Sequence, residues 1–365
     1  MKILHVSTII EWRGGDNQML TTYSILKSHL DLQQFIFCPE NSVLQKKCVE
    51  HSIPHFTASR NSKYSIDFII KLFKTIKKEK IEVLHVHDSK AFTMSLLFIN
   101  FFPKLKLVYS RKRNNKIHKN FFKVLKYNHN RIDRIVCVSQ AVKDVLTPVL
   151  NSDSKALVIY DGIDVQKFAN CEDSGILKRE YNIGNDAFII GNIAGLTKQK
   201  DLFTFLDTAK IILNETNKNI KFLIVGQGPL EEELKAYSKE LGIQKEVVFT
   251  GFRKDIPEIL PELDLFLISS ETEGLPLSIL EAFACKVPVA ATAAGGTGEA
   301  ISNEVSGMIS AVKDPEKLAA NTLKLINDPD LRDQVVVNAF KLVNSKFTLG
   351  VMEQNYYNFY INLFN

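Results

Sequence analysis

Two carboxylates, Glu273 and Glu281, stand eight residues apart in the stretch SETEGLPLSILEAFACKVPVAATAAGGTGE that runs from Ser270 to Glu299. Pro276 lies between them and suits the first turn of a helix, where its missing N–H would be unpaired anyway. Glu273 is then in the preceding turn and Glu281 about a turn and a half inside the helix, flanking its N-terminus at different depths. The free backbone N–H groups of the Gly274–Ser278 stretch, which contains Leu275 and Pro276, point at whatever lies between the carboxylates. Such a helix start attracts phosphate, and a carboxylate beside it suits sugar hydroxyls. Gly295, Gly296 and Gly298 add backbone that a ligand can approach closely. Paired glutamates alone are equally what dipole compensation produces.

Other candidates follow strands. Gly14 and Gly15 come after MKILHVS, just before a helix expected to begin near Asp16, where backbone can approach a phosphate or form a flexible turn. In HVHDSKA, alternation sends His85 and His87 to one face, with His87 at the strand end; Asp88 or Ser89 is available to cap the next helix. IIGNIAGLTKQKDLFTF ends a strand near Ala194 and starts a helix near Gln199, so Lys200 is placed to neutralise negative charge developing on a leaving group. VGQGPLEEEL, with Gly228, is a strand, glycine turn and helix without the third glycine of a dinucleotide fingerprint, which excludes an NAD site. The one Asp-x-Asp triplet, Asp328-Pro329-Asp330, lies between two predicted helices as turn chemistry, so no essential metal is expected, and no cofactor.

Charge divides the chain. Residues 1–165 hold 26 Lys/Arg against 14 Asp/Glu, and residues 166–365 hold 20 against 27. Much of the excess lies in Lys104–Arg131, where Arg111, Lys112, Arg113 and further cations alternate with Phe121, Phe122, Leu125 and Tyr127. That pattern suits an anionic lipid surface or a phosphate-bearing acceptor, and equally a solvated basic helix. No nucleic-acid motif accompanies it, and the acidic second half opposes a wrapped polyanion, so no nucleic-acid partner is expected. Five cysteines without a Cys-x-x-Cys pair read as free thiols. The opening MKILHVS reads as a strand, not a signal peptide, and no run is long enough to span a bilayer, which points to the cytoplasm.

The elements that must position these residues are strand-like runs alternating with amphipathic segments, the pattern of parallel sheets covered by helices. The expected strands are Lys2–Ser7, Gln34–Cys38, His55–Thr57, Glu82–His87, Lys106–Tyr109, Arg134–Val138 and Leu157–Tyr160, then Phe188–Ala194, Lys221–Val225, Val247–Thr250, Leu265–Ser269, Val287–Ala290 and Gly307–Ser310. At 365 residues the chain is too long for one ordinary core. The turn-rich segment Tyr160–Gly175 marks a boundary between domains 1–165 and 166–346, and residues 347–365 are expected to form an aromatic helix.

The segment 270–299 resembles the Glu-x7-Glu motif of the family 4 glycosyltransferases, with Glu273 and Glu281 as the pair and Gly295, Gly296 and Glu299 matching the Gly-Gly-x-x-Glu ending. The resemblance extends over almost the whole chain. It implies an α/β protein of the GT-B fold, two doubly wound Rossmann-like domains facing across a cleft, with the C-terminal helix crossing back to the first. It also implies retaining transfer from a nucleoside diphosphate sugar to a glycan or lipid-linked acceptor in surface-polysaccharide synthesis, at the inner face of the membrane through the basic domain. The implied roles are Gly14 and Gly15 toward the diphosphate, His87 near the donor sugar, Lys200 on the diphosphate, Glu273 on sugar hydroxyls and Glu281 on the ribose. Gly228 and Arg253 would lie near the nucleoside, and Arg111, Lys112 and Arg113 would face the acceptor. Two positions depart from the family pattern: Gly195 stands where an arginine is usual, leaving Lys198, Arg253 or the Arg111–Arg113 loop to assist Lys200, and Lys286 stands where glycine is common. A sugar-nucleotide epimerase and a non-catalytic sugar-nucleotide-binding protein at the membrane are the alternatives.

Overall fold

Short runs rich in Val, Ile, Leu and Phe, buried on both faces, form parallel strands because crossover helices cover each side of such a sheet. In this computed structural model, which describes every residue except Arg13, Asn61, Lys63, Tyr64 and Asn365, the chain divides into two compact units. One is Met1–Asp161 with Gly350–Asn365, the other Gly162–Leu349.

The first unit holds β1 (Lys2–Val6), β2 (Gln33–Pro39), β3 (His55–Ala58), β4 (Val83–Val86), β5 (Lys106–Arg111), β6 (Arg134–Cys137) and β7 (Ala156–Val158). They form one parallel sheet in the order β3-β2-β1-β4-β5-β6-β7. The second unit holds β8 (Phe188–Ile193), β9 (Ile220–Val225), β10 (Val247–Gly251), β11 (Leu265–Ile268), β12 (Val289–Thr292) and β13 (Met308–Ser310). Their order is β10-β9-β8-β11-β12-β13, again parallel. Each sheet is doubly wound, and its strand order reverses once, between β1 and β4 or between β8 and β11. At such a reversal the connections diverge to opposite faces and leave a crevice beyond the carboxyl ends of the strands, where ligands of this architecture bind.

All thirteen expected runs are strands. Val287–Ala290 moves two residues on, to β12, because Pro288 has no N–H to give the ladder and Lys286 before it is left-handed at φ 59°. The core of the first unit includes Ile3, Val83, Val108 and Val136, covered by Met352, Tyr356 and Tyr360 of the helix Leu349–Ile361. Their spacing of four residues puts all three side chains on one helix face. In the second unit Phe205, Leu206, Ala209 and Ile212 pack on Ile190, Phe222 and Leu265.

Candidate active site

In the second unit the turns after β8 and β11 meet through side chains. Lys200 Nζ donates to Glu273 Oε1 at 2.7 Å, and Ser270 Oγ donates to the same oxygen at 2.7 Å. Backbone bonds brace the pair: Glu271 N donates to Gln199 O, Gly296 N to Glu273 O, Ser269 Oγ to Lys200 O and Thr292 Oγ1, at the end of β12, to Ser270 O. Three strand ends therefore converge on Glu273, which is 8% exposed. A carboxylate held by a cation and a hydroxyl stays in one orientation, as recognition of a polyhydroxylated ligand requires.

The local folding differs in detail from expectation. A 3-10 turn, Lys198–Lys200, and a left-handed Asp201 at φ 43° precede the helix Leu202–Glu215, which starts three residues later than expected. That turn directs Lys200 back toward Glu273. The helix after Glu273 is Leu277–Ala284, with Pro276 outside it as the cap residue. Burial raises the Glu281 carboxyl to about 7, partly offset by the Lys167 ammonium. Lys286 is left-handed, at a cost of about 1 kcal/mol for a residue with a Cβ, and its Nζ lies 5.2 Å from the centroid of the Phe340 ring.

The turn after β9 nests on the one after β8: a Cβ on Gly228 would lie 2.4 Å from the Leu196 carbonyl oxygen, and one on Gly226 would lie 2.0 Å from that of Ala194, so glycine is required at both positions. Gly195 is different: it is exposed, and a Cβ there would meet nothing closer than 3.9 Å. Arg253 ion-pairs with Glu180 and with Asp255, whose carboxylate accepts from its Nε at 2.9 Å. Its guanidinium is therefore engaged by carboxylates of its own unit.

In the first unit the corresponding crevice lies between the ends of β1 and β4. Asp88 caps the helix Ser89–Leu96 and also accepts from Thr8 N at 2.7 Å and Thr8 Oγ1 at 2.9 Å, joining the two strand ends. Gly14 and Gly15 form the first turn of the helix Gly14–Ile25, which begins two residues before the expected start, and Asp16 Oδ1 accepts from Ser7 Oγ. Lys112 crosses this turn and donates to Gly15 O at 2.5 Å. Burial lowers its ammonium to about 8 against the opposing pull of Asp161, Asp16 and Asp88, while burial raises Asp161 to about 6 against Lys112 and Gln18.

Consecutive in sequence, Arg111, Lys112 and Arg113 are separated in function by the fold. Arg111 is buried, donating to Asn115 O at 2.8 Å and Tyr127 OH at 3.3 Å, whereas Arg113 is exposed. His87 is 7% exposed, and its Nε2 lies 3.0 Å from Nδ1 of His5, a residue the sequence reading passed over. The signal was present: LHV ends both β1 and β4, and these two strands pair with His5 opposite His85.

The chain matches two family models, Glycosyltransferase Family 4 over residues 30–167 and Glycosyl transferases group 1 over residues 173–342. It is 27% identical to the UDP-Gal:alpha-D-GlcNAc-diphosphoundecaprenol alpha-1,3-galactosyltransferase of Escherichia coli, over 100% of this chain and 93% of that protein. It is 24% identical to the N-acetyl-alpha-D-glucosaminyl L-malate synthase of Bacillus anthracis, over 86% of this chain and 83% of that one. Among solved structures, Anabaena HepE in complex with UDP and glucose superposes with a TM-score of 0.85 at 20% identity, covering 99% of this chain and 100% of HepE.

Proposed function

The chain belongs to the family 4 glycosyltransferases, and from that premise we propose that it moves a sugar from a nucleoside diphosphate to a hydroxyl of a lipid-linked surface-glycan intermediate. On this reading the transfer retains anomeric configuration and needs no metal ion. The observation that carries it is the Lys200–Glu273 pair, built by two strands that flank the reversal in strand order of the second unit. An ammonium there offsets the charge that grows on a departing diphosphate, which is the work a metal ion does in other designs. Glu273 accepts hydrogen bonds from sugar hydroxyls, and the backbone N–H groups from Gly274 onward supply further donors. Glu281, behind the same helix start, accepts from the ribose. With retention, the acceptor hydroxyl enters on the face the diphosphate leaves, so the diphosphate oxygen itself takes the proton.

A thermal-shift panel of nucleoside diphosphate sugars, run in the presence of a chelator, tests this. One or two donors are expected to raise Tm, because a ligand of the native state stabilises it by mass action. A panel with no response, or a response only with divalent metal, counts against the reading. Gly195→Arg is expected to be tolerated, since its Cβ meets only ordinary contacts, and to tighten nucleoside diphosphate binding by about 10-fold through a second cation. Titration calorimetry checks it; unchanged affinity would mean that Lys200 already suffices.

The E. coli relative's name specifies a diphosphoundecaprenol-linked substrate, and a lipid-linked acceptor here would demand a route to the membrane. No helix among the described residues is long and apolar enough to cross one. Phe121 and Phe122 are 75% and 78% exposed at the start of the helix Phe121–Tyr127, among Lys116, Lys119 and Lys123. Apolar side chains ringed by lysines fit an anionic bilayer surface at its cytoplasmic side. Exchanging both phenylalanines for serine is expected to lower partitioning onto phosphatidylglycerol vesicles by about 10-fold or more, as read by vesicle sedimentation.

A further inference from the structure

The three histidines of the first unit, His5, His85 and His87, are buried with ring nitrogens within 4.8 Å of one another. A metal site is the first thing such a cluster suggests, since imidazole nitrogen is a common zinc ligand. The hydrogen bonds oppose it. Both nitrogens of His5 are engaged, with Gln34 Oε1 at 3.0 Å and His87 Nε2 at 3.0 Å. Both nitrogens of His85 are engaged as well, with Tyr360 OH at 2.5 Å and Ser110 Oγ at 2.8 Å. Of the six ring nitrogens only His87 Nδ1 has no partner, although it is buried. A metal ion needs at least three available lone pairs and finds one.

The direction of the hydrogen bonds can be followed from the backbone outward. Gln34 Nε2 donates to the Tyr23 carbonyl at 3.1 Å, which fixes the orientation of the amide and turns its Oε1 toward His5. An amide oxygen only accepts, so His5 Nε2 carries a hydrogen. Burial, the largest influence on His5, lowers it to about 4 and keeps the ring neutral, so Nδ1 bears a lone pair. His87 Nε2 must then be the donor across the 3.0 Å contact. His87 is held well below its ordinary range by burial and by the nearby His85, Lys112 and His5, and as a neutral ring with hydrogen on Nε2 it leaves Nδ1 unprotonated.

We propose that Gln34 and His5 are positioning residues that lock the tautomer of His87, so that its Nδ1 is a standing acceptor for a sugar hydroxyl that enters the crevice of the first unit. The sugar identity of the ligand rests on the glycosyltransferase reading above; the locked tautomer does not. A buried acceptor without a partner costs about 1–3 kcal/mol, and a ligand hydroxyl removes that penalty. The chemistry also discriminates: a lone pair repels phosphate and carboxylate oxygens, so within one crevice Lys112 and the helix start at Gly14 suit an anion while His87 suits a neutral hydroxyl.

The test uses the full-length protein labelled with 15N in histidine. Long-range proton–nitrogen correlation spectra of the ligand-free protein are expected to show His87 with a pyrrole-like Nε2 and a pyridine-like Nδ1. In Gln34→Glu the carboxylate favours a doubly protonated His5, which then donates from Nδ1, so the His87 hydrogen is expected to move to Nδ1 and the two signals to exchange character. Titration calorimetry should then show nucleoside diphosphate affinity unchanged and the extra affinity of the nucleotide sugar reduced by about 10-fold. Gln34→Met, which removes the fixed acceptor, serves if the glutamate variant does not fold, and a mixture of His87 tautomers is expected. A wild-type His87 with hydrogen on Nδ1, a tautomer that ignores both substitutions, or stoichiometric zinc that survives chelation and shifts all three rings would overturn the proposal. Inversion of the tautomer together with no binding of any nucleotide sugar would uphold the lock and remove the glycosyltransferase reading instead.

Discussion

Lys200→Met is expected to lower turnover by about 100- to 1,000-fold, the usual loss when one preorganised group facing developing charge is removed. The same substitution leaves Glu273, 8% exposed, with Ser270 Oγ as its remaining side-chain donor, so stability should fall too. An unpaired buried charge costs as much as 3–5 kcal/mol, but the Lys200 side chain is 29% exposed and water can enter its place, which brings the expected loss to about 1–3 kcal/mol. The two effects separate in the double variant Lys200→Met/Glu273→Gln. Removing the orphaned charge should recover most of the stability and none of the activity. Denaturant melts and initial rates measured on the wild type, both single variants and the double variant complete the cycle. If activity returned together with stability, Lys200 would be a structural partner of Glu273 and nothing more.

The second large effect concerns Glu281. Its carboxyl sits at about 7 against an ordinary 4.5 because burial disfavours its charge, with Lys167 recovering part of the loss. A carboxyl with a raised folded-state value binds its proton more tightly in the native protein than in the unfolded chain. Stability therefore falls as pH rises from about 4.5 to about 7, and above that the full penalty, on the order of 3 kcal/mol, is present. Glu281→Gln keeps the shape without the charge, so it should melt several degrees above the wild type at pH of about 8 and level with it at pH of about 5. Donor affinity should move the other way. Ribose hydroxyls donate best to an ionised carboxylate, so wild-type binding is expected to strengthen as pH rises through about 7 and to release a proton. Calorimetry in two buffers of different ionisation enthalpy reads that proton directly. In the variant, affinity should drop about 10-fold or more and lose its pH dependence. A variant both more stable and equally tight in binding would remove Glu281 from the donor site.

The elements themselves were largely legible because each strand is a local run of apolar residues and each boundary a local event. The errors were small and physical. Pro288 delayed β12, and a left-handed Asp201 inserted a turn before the helix at Leu202. Less visible was anything that depends on where a side chain turns after the backbone is placed. The run Arg111-Lys112-Arg113 reads as one cationic patch, yet Arg111, the last residue of β5, is buried, and in the loop beyond it Lys112 lies over the Gly15 carbonyl and Arg113 is exposed. Arg253 reads as a cation in reserve, and it is spent on Glu180 and Asp255.

By itself the amino-acid order determined the thirteen strands, the class of parallel sheets covered by helices and the spacing of Glu273 and Glu281, since all of these follow from periodicity and short-range steric rules, while the doubly wound order came with the family resemblance. It did not carry which strand ends become neighbours. Lys200 and Glu273 are 73 positions apart, and His5 and His87 are 82. Those pairs exist because β8 lies beside β11 and β1 beside β4. Tertiary structure alone also decided the charge states around them. Desolvation is a property of what surrounds a group in space, and only burial of His5 and Glu281 makes one a neutral link in a hydrogen-bond chain and the other a carboxyl that titrates near 7.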